Sequence, residues 1–145
     1  MPIDPSLVPT EAAVAHILNR CRCAAVVGLS PKPHRESYHV AEYLQAHGWR
    51  VVPVNPVAAG QTILGEKVYA TLADAAAAEP IDLVDIFRNA EDVPPVVDEA
   101  IALNLGAVWL QLGIRHDAAL AKAQEAGLVA VQDRCIKIEI ARAAA

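Results

Sequence analysis

The chain has 145 residues, enough to bury one proper core and too few for a second domain of ordinary size. Hydrophobic residues make up 54% and aromatics only 4%, so Ala, Val, Leu and Ile must fill that core, a composition suited to helices packed on a parallel sheet. The formal net charge of -5 excludes the broad basic surface that general nucleic-acid or acidic-membrane binding requires, so any anion site must be local.

The first residues, MPIDPSLVPT, carry prolines and an acid where a secretory leader would carry positive charge and then an apolar run. Thr10 is placed to cap a helix over about Glu11 to Asn19, with Val14, Ile17 and Leu18 on one face. Cys21, Cys23 and Cys135 cannot all pair within the chain and lack disulfide-scaffold spacing, which predicts free thiols in a reducing, cytoplasmic setting. Ala24 to Val27 reads as a short buried strand that ends at Gly28. Ser37 suits the N-cap of a second helix, in which Val40, Tyr43, Leu44 and His47 share one side before Gly48 stops it. Trp49 to Val54 is the next strand, broken by Asn55-Pro56, and a loop through Gly60 and Gly65 leads to a helix over Leu72 to Ala78 that Thr71 caps.

Ile81 to Phe87 forms a third strand, and Asp92 with Pro94 and Pro95 begins a helix that Asn104 and Gly106 end. Ala107 to Leu110 is a fourth strand, Asp117 to Ala126 a helix, Leu128 to Val131 a fifth strand, and a last helix starts near Ile136. No segment reaches the apolar length of a membrane span. Strands and helices alternate with short links, which predicts an α/β, Rossmann-like three-layer fold: five mainly parallel strands with helices on both faces.

In such a sheet ligands collect beyond the carboxyl ends of the strands. Those ends carry Gly28 to Ser37, Asn55-Pro56, Phe87-Arg88, Gln111 to Gly113 and Asp133-Arg134-Cys135. In the first loop, Lys32 and Arg35 supply charge while Ser30, Ser37 and the helix-start amides supply donors, a set that fits phosphate. The same loop fits a solvated turn stiffened by prolines equally well. A dinucleotide is disfavoured, because Ser30 and Pro33 stand where G-x-G-x-x-G needs its second and third glycines, and Asn55 stands where an acid would hold the ribose. The P-loop lysine pattern is also missing.

The ordered set GLSPKPHRES, PVNP, VDIFR, VWLQLGI and DRCIKIE, from Cys23 to Glu139, resembles the small stand-alone CoA-binding proteins, which are similar in fold to the CoA-binding domain of succinyl-CoA synthetase. That resemblance implies coenzyme A, or an acyl-CoA, as the ligand. It places Gly28, Leu29 and Ser30 against phosphates, Lys32 and Arg35 as charge partners, and Ser37 as a donor from the helix start. Asn55 and Pro56 would line the nucleotide side, Phe87 and Arg88 would cover adenine or a phosphate, Gln111 would close the rim, and Arg134 is a weaker candidate. Taken singly, Phe87 reads as core and Arg88 as a loop charge, and Trp109 reads as packing.

The synthetase chemistry uses a phosphorylated histidine on a further domain and does not carry over. His16, His34, His39, His47 and His116 have no Ser/Asp or Cys partner by spacing, and Cys135 reads better as a buried thiol than as a reactive one. Cys21-Arg22-Cys23 with His16 lacks the second pair a structural zinc needs, so no metal is expected. The sequence therefore points to a CoA-binding module without catalytic machinery, a carrier, sensor or regulator. An enzyme acting on a nucleotide or acyl-CoA, an NAD(P)-binding domain and a pure interaction domain stand as alternatives.

Overall fold

A computed structural model describes residues 9–144. The reading of the first residues as lacking a leader falls on residues 1–8 and lies outside them. The elements run α1 (Thr10–Arg20), β1 (Cys23–Val27), α2 (Glu36–Ala46), β2 (Arg50–Val54), β3 (Thr62–Ile63), β4 (Glu66–Lys67), α3 (Leu72–Ala78), β5 (Leu83–Ile86), α4 (Val93–Ala102), β6 (Ala107–Leu110), α5 (Asp117–Glu125), β7 (Val129–Val131) and α6 (Ile136–Ala143).

The main sheet has five strands in the order β2-β1-β5-β6-β7, and all its pairings are parallel. Strand alternation divides the core. Ala24 and Val26 of β1, Leu83 of β5 and Trp109 of β6 pack with α1, α2 and α6, while Ala25 and Val27, Val84 and Ile86, and Val108 and Leu110 pack with α3, α4 and α5. Both faces are thus covered, and every residue of β1, β5 and β6 is buried. Trp109 is fully buried and donates its indole N–H to the Arg134 carbonyl at 2.8 Å, so its assignment to packing holds.

The differences from the expected elements are local. α1 begins at Thr10 itself, with Pro9 as N-cap and no side-chain cap bond. α2 begins at Glu36 with Arg35 as N-cap, so Ser37 lies inside the first turn and is not the cap. His47 follows that helix and is exposed, and it stacks on Tyr43, with which it was expected to share a side, ring centroids 3.9 Å apart. The loop after β2 holds an unpredicted hairpin of β3 and β4, turned by Leu64 and Gly65, both at positive φ. β5 starts only at Leu83, because the Asp82 carboxylate is taken up with the N–H groups of Arg22 and Cys23. No helix among the described residues is long and apolar enough to cross a membrane.

Candidate functional site

All five strands direct their carboxyl ends to one rim. The strand order reverses between β1 and β5: the chain leaves β1 for α2 on one face and β5 for α4 on the other, which opens a crevice between the two loops. Gly28 closes the floor of that crevice. Its N–H donates to the Val54 carbonyl at 2.8 Å, its φ is +88°, and a Cβ there would stand 2.1 Å from the Phe87 carbonyl oxygen. Only a residue without a side chain allows the two strand ends to approach so closely.

The loop beyond Gly28 is held by its serines. The Ser30 N–H donates to Ser37 Oγ at 3.0 Å, and the Lys32 N–H donates to Ser30 Oγ at 3.1 Å. Each hydroxyl keeps its own proton for another acceptor. Asn55 ties the loop to the end of β2: its Nδ2 donates to the Leu29 carbonyl and its Oδ1 accepts from the Val57 N–H, both at 3.0 Å. The Leu29 side chain is fully buried in the core. Leu29 and Asn55 are therefore struts that shape the loop, where the sequence suggested contact groups. Asn55→Ala is expected to cost about 1 to 2 kcal/mol of stability by leaving two backbone groups without their partner, measured by urea unfolding.

Two adjoining clefts open at this place. One, of about 400 Å³, is lined by Gly28, Ser30, Lys32, Arg35, Glu36, Ser37 and Phe87. The other, of about 540 Å³, is lined by Phe87, Arg88, Asn89, Ala90, Glu91, Gly113 and Ile114. Phe87 is common to both. The Arg88 side chain lies over Gly28, its Cδ 3.6 Å from where a Cβ would be. Among the described residues Lys32, Arg35 and Arg88 form no ion pair, a state they share with Arg20, Arg22, Lys67 and Lys137, but they are the ones that line the crevice. Three uncommitted cations thus face the crevice of a chain whose net charge is negative, with Glu36 and Glu91 as opposing charges. The α2 start adds the positive end of a helix dipole.

Not all the expected residues meet there. Gly28, Ser30, Lys32, Arg35, Ser37, Phe87 and Arg88 do. Pro56 is exposed at the start of a 3-10 turn, Pro56–Ala58, and lines neither cleft. Arg134 is engaged by Glu11 at 2.7 Å and Glu139 at 3.2 Å, and it lines two other clefts beside α1 and α6. Gln111 is 3% exposed and donates Nε2 to Asp85 Oδ1 at 2.6 Å, so it lies beneath the rim instead of closing it. Its partner is the residue that sequence reasoning missed. Asp85 is fully buried in β5, its Oδ2 has no hydrogen-bond partner among the described residues, and desolvation pushes its pKa up to about 7 against the bond from Gln111. The available signal was an acid inside the apolar run LVDIF, in a strand expected to be covered on both faces.

The remaining polar groups serve elsewhere. Burial pushes the thiols of Cys21 and Cys23 up to about 12 and 11, at the strand starts and away from the crevice, so they stay protonated. Cys135 is free and buried before α6. His116 caps α5, its Nδ1 accepting from the Ala119 N–H at 3.0 Å. Among the described residues no group of three or more His, Cys, Asp or Glu side chains is arranged to hold a metal.

The parallel sheet and the crevice at its strand-order reversal, rimmed by a glycine-poor cationic loop, define a Rossmann-like α/β domain. The sequence model of the CoA binding domain matches residues 22–141, and the chain belongs to that family. It is 35% identical over 130 residues to the uncharacterised protein YneT of Bacillus subtilis, covering 90% of this chain and 93% of that one. A solved structure from Thermus thermophilus is 38% identical with a TM-score of 0.83, covering 93% of this chain and 98% of its own. A hypothetical protein of Pyrococcus horikoshii is 34% identical with a TM-score of 0.84, over 100% of this chain and 99% of its own.

Proposed function

We propose that the protein is a cytoplasmic module that binds coenzyme A or an acyl-CoA in the paired clefts around Phe87. The observation that carries this reading is the set of three uncommitted cations, Lys32, Arg35 and Arg88, around a crevice floored by Gly28 in a member of the CoA binding domain family. Phosphates would lie against the Ser30 to Ser37 loop and the start of α2, where amides, hydroxyls and guanidinium groups converge. The wider cleft, with Ile114 and Phe87 in its wall, has room for the less charged parts of the ligand. Carriage, sensing or regulation suits such a module better than catalysis, since among the described residues Ser30 and Ser37 accept from backbone N–H groups and neither hydroxyl is bonded to a carboxylate or an imidazole.

The test is calorimetric titration with CoA, acetyl-CoA, NAD and ATP in parallel, repeated at high salt. Selective binding of CoA or acetyl-CoA, weakened by salt, is expected. Preference for NAD or ATP would overturn the ligand while leaving the cleft, and absence of binding by all four would overturn the reading. Arg35→Ala and Arg88→Ala are each expected to weaken CoA binding by about 1 to 3 kcal/mol with the fold intact by circular dichroism. Unchanged affinity in both would remove the arginines from the site.

A further inference from the structure

Asp85 occupies an improbable place for a charge. By register it stands between Val26 of β1 and Trp109 of β6, on the sheet face that α1, α2 and α6 cover. It lies two residues before Phe87, the residue common to both clefts, and its side-chain partner, Gln111, lies two residues before Gly113, which lines the wider cleft. The Asp85–Gln111 bond therefore crosses from β5 to β6 directly beneath the strand ends that form the crevice. The unpartnered Oδ2 is sealed from solvent, so nothing but a proton can neutralise it locally.

The other titratable groups on that face do not compensate it. On α1, Glu11, His16 and Arg20 are exposed; on and after α2, Glu36, His39, Glu42 and His47 are exposed, and Tyr38 and Tyr43 are half-buried. On α6, Lys137 and Arg142 are exposed, and Glu139, which is buried, is already bonded to Arg134 and Arg142. The cations Lys32, Arg35 and Arg88 face the crevice above. When a polyanion enters that crevice it takes up their positive charge and places its own negative charge over a buried carboxylate. The ionised form of Asp85 then becomes less favourable.

We infer that Asp85, with Gln111, is a proton-linked positioning residue of the cleft: binding of a polyanionic ligand draws a proton from solvent onto the Asp85 carboxylate. The neutral acid relieves repulsion of the ligand and loosens the charge-assisted tie to Gln111 that spaces the two strand ends. This inference rests on the cleft being the CoA site. Burial pushes the Asp85 carboxyl up to about 7, against the bond from Gln111, which suits proton exchange near neutrality.

The probe is CoA, titrated calorimetrically near pH 7.5 in two buffers of different ionisation enthalpy, so that the proton count is read directly. Proton exchange elsewhere on the protein and on the ligand phosphates is shared by the wild type and Asp85→Asn, and the difference between the two isolates Asp85. The wild type is expected to take up a larger fraction of a proton than Asp85→Asn. Its affinity should also fall more steeply from about pH 6.5 to 8.5, the excess being at most about tenfold per pH unit for one proton. Should Asp85→Asn not fold, Gln111→Met decides: loss of the donor to the carboxylate moves the midpoint of the affinity profile to higher pH. Equal proton uptake in the wild type and Asp85→Asn, or an unmoved midpoint in Gln111→Met, overturns the coupling alone. Absence of CoA binding at every pH overturns the site and the coupling together.

Discussion

Gly28→Ala should destabilise the protein by about 3 kcal/mol or more and abolish binding in the crevice, although it adds a single methyl group. Two costs combine at this position. The backbone is held at φ +88°, where an L side chain is strained by about 1 to 3 kcal/mol. The added Cβ would also stand 2.1 Å from the carbonyl oxygen and 3.1 Å from the carbonyl carbon of Phe87, and these are backbone atoms of a residue whose N–H is bonded to Val27 at 2.8 Å. Relief requires β1 and β5 to part, at a further cost of about 1 to 3 kcal/mol for overpacking. Gly48 supplies the control: its φ is +85° and nothing lies within 4 Å of a Cβ built there, so Gly48→Ala should show the conformational cost alone, the same about 1 to 3 kcal/mol. Urea unfolding of the two variants separates the terms. If they lose equal stability, the close approach of the strand ends contributes nothing, and the crevice floor is not set by Gly28.

The fold is legible in the sequence wherever a rule acts over a few neighbouring residues. Apolar runs such as CAAVV and AVWL, bounded by Gly28, Gly106 and their like, mark strands buried on both faces, and the i, i+3, i+4 spacing of Val40 and Leu44 marks a helix between them. The β3–β4 hairpin is not legible, because two-residue strands built from TI and EK have no period to detect. Within the site, the loop cations and Gly28 can be placed from their position after a strand. The occupation of Arg134 cannot, since Glu11 is 123 residues away and only the packing of α1 beside β7 brings them together. Ser37 has the residue type of a cap, yet the helix starts one residue earlier and its hydroxyl serves Ser30. Gln111 is hard to explain as core from the sequence. Its explanation is a second buried polar group in the neighbouring strand, and pairs of this kind become visible only once strand order and register are known.

Asp85→Asn should reverse its stability relative to the wild type between acid and mildly alkaline pH. In the unfolded chain the carboxyl titrates near its ordinary 3.8, while burial in the native state pushes it up to about 7. Below the unfolded value both states hold the proton and the native protein bears no penalty. Between the two values the unfolded chain releases its proton while the native protein keeps it, so stability falls as pH rises, and above about 7 both are ionised and the loss is complete. A shift of this size corresponds to about 4 kcal/mol between the two ends of the window. The amide of the variant does not titrate and has no such window. It also leaves an amide N–H₂ in the place of Oδ2, which has no partner among the described residues, at a cost of about 1 to 3 kcal/mol. The variant should therefore be the less stable protein at about pH 4.5 and the more stable one at about pH 8, as read by urea unfolding with other carboxylates cancelling in the difference. Parallel stability curves across that range would mean that Asp85 keeps an ordinary pKa in the folded protein. The sealed Oδ2 would then have to reach water, and the β5–β6 strand ends beneath the crevice would be more open than their hydrogen-bond register allows.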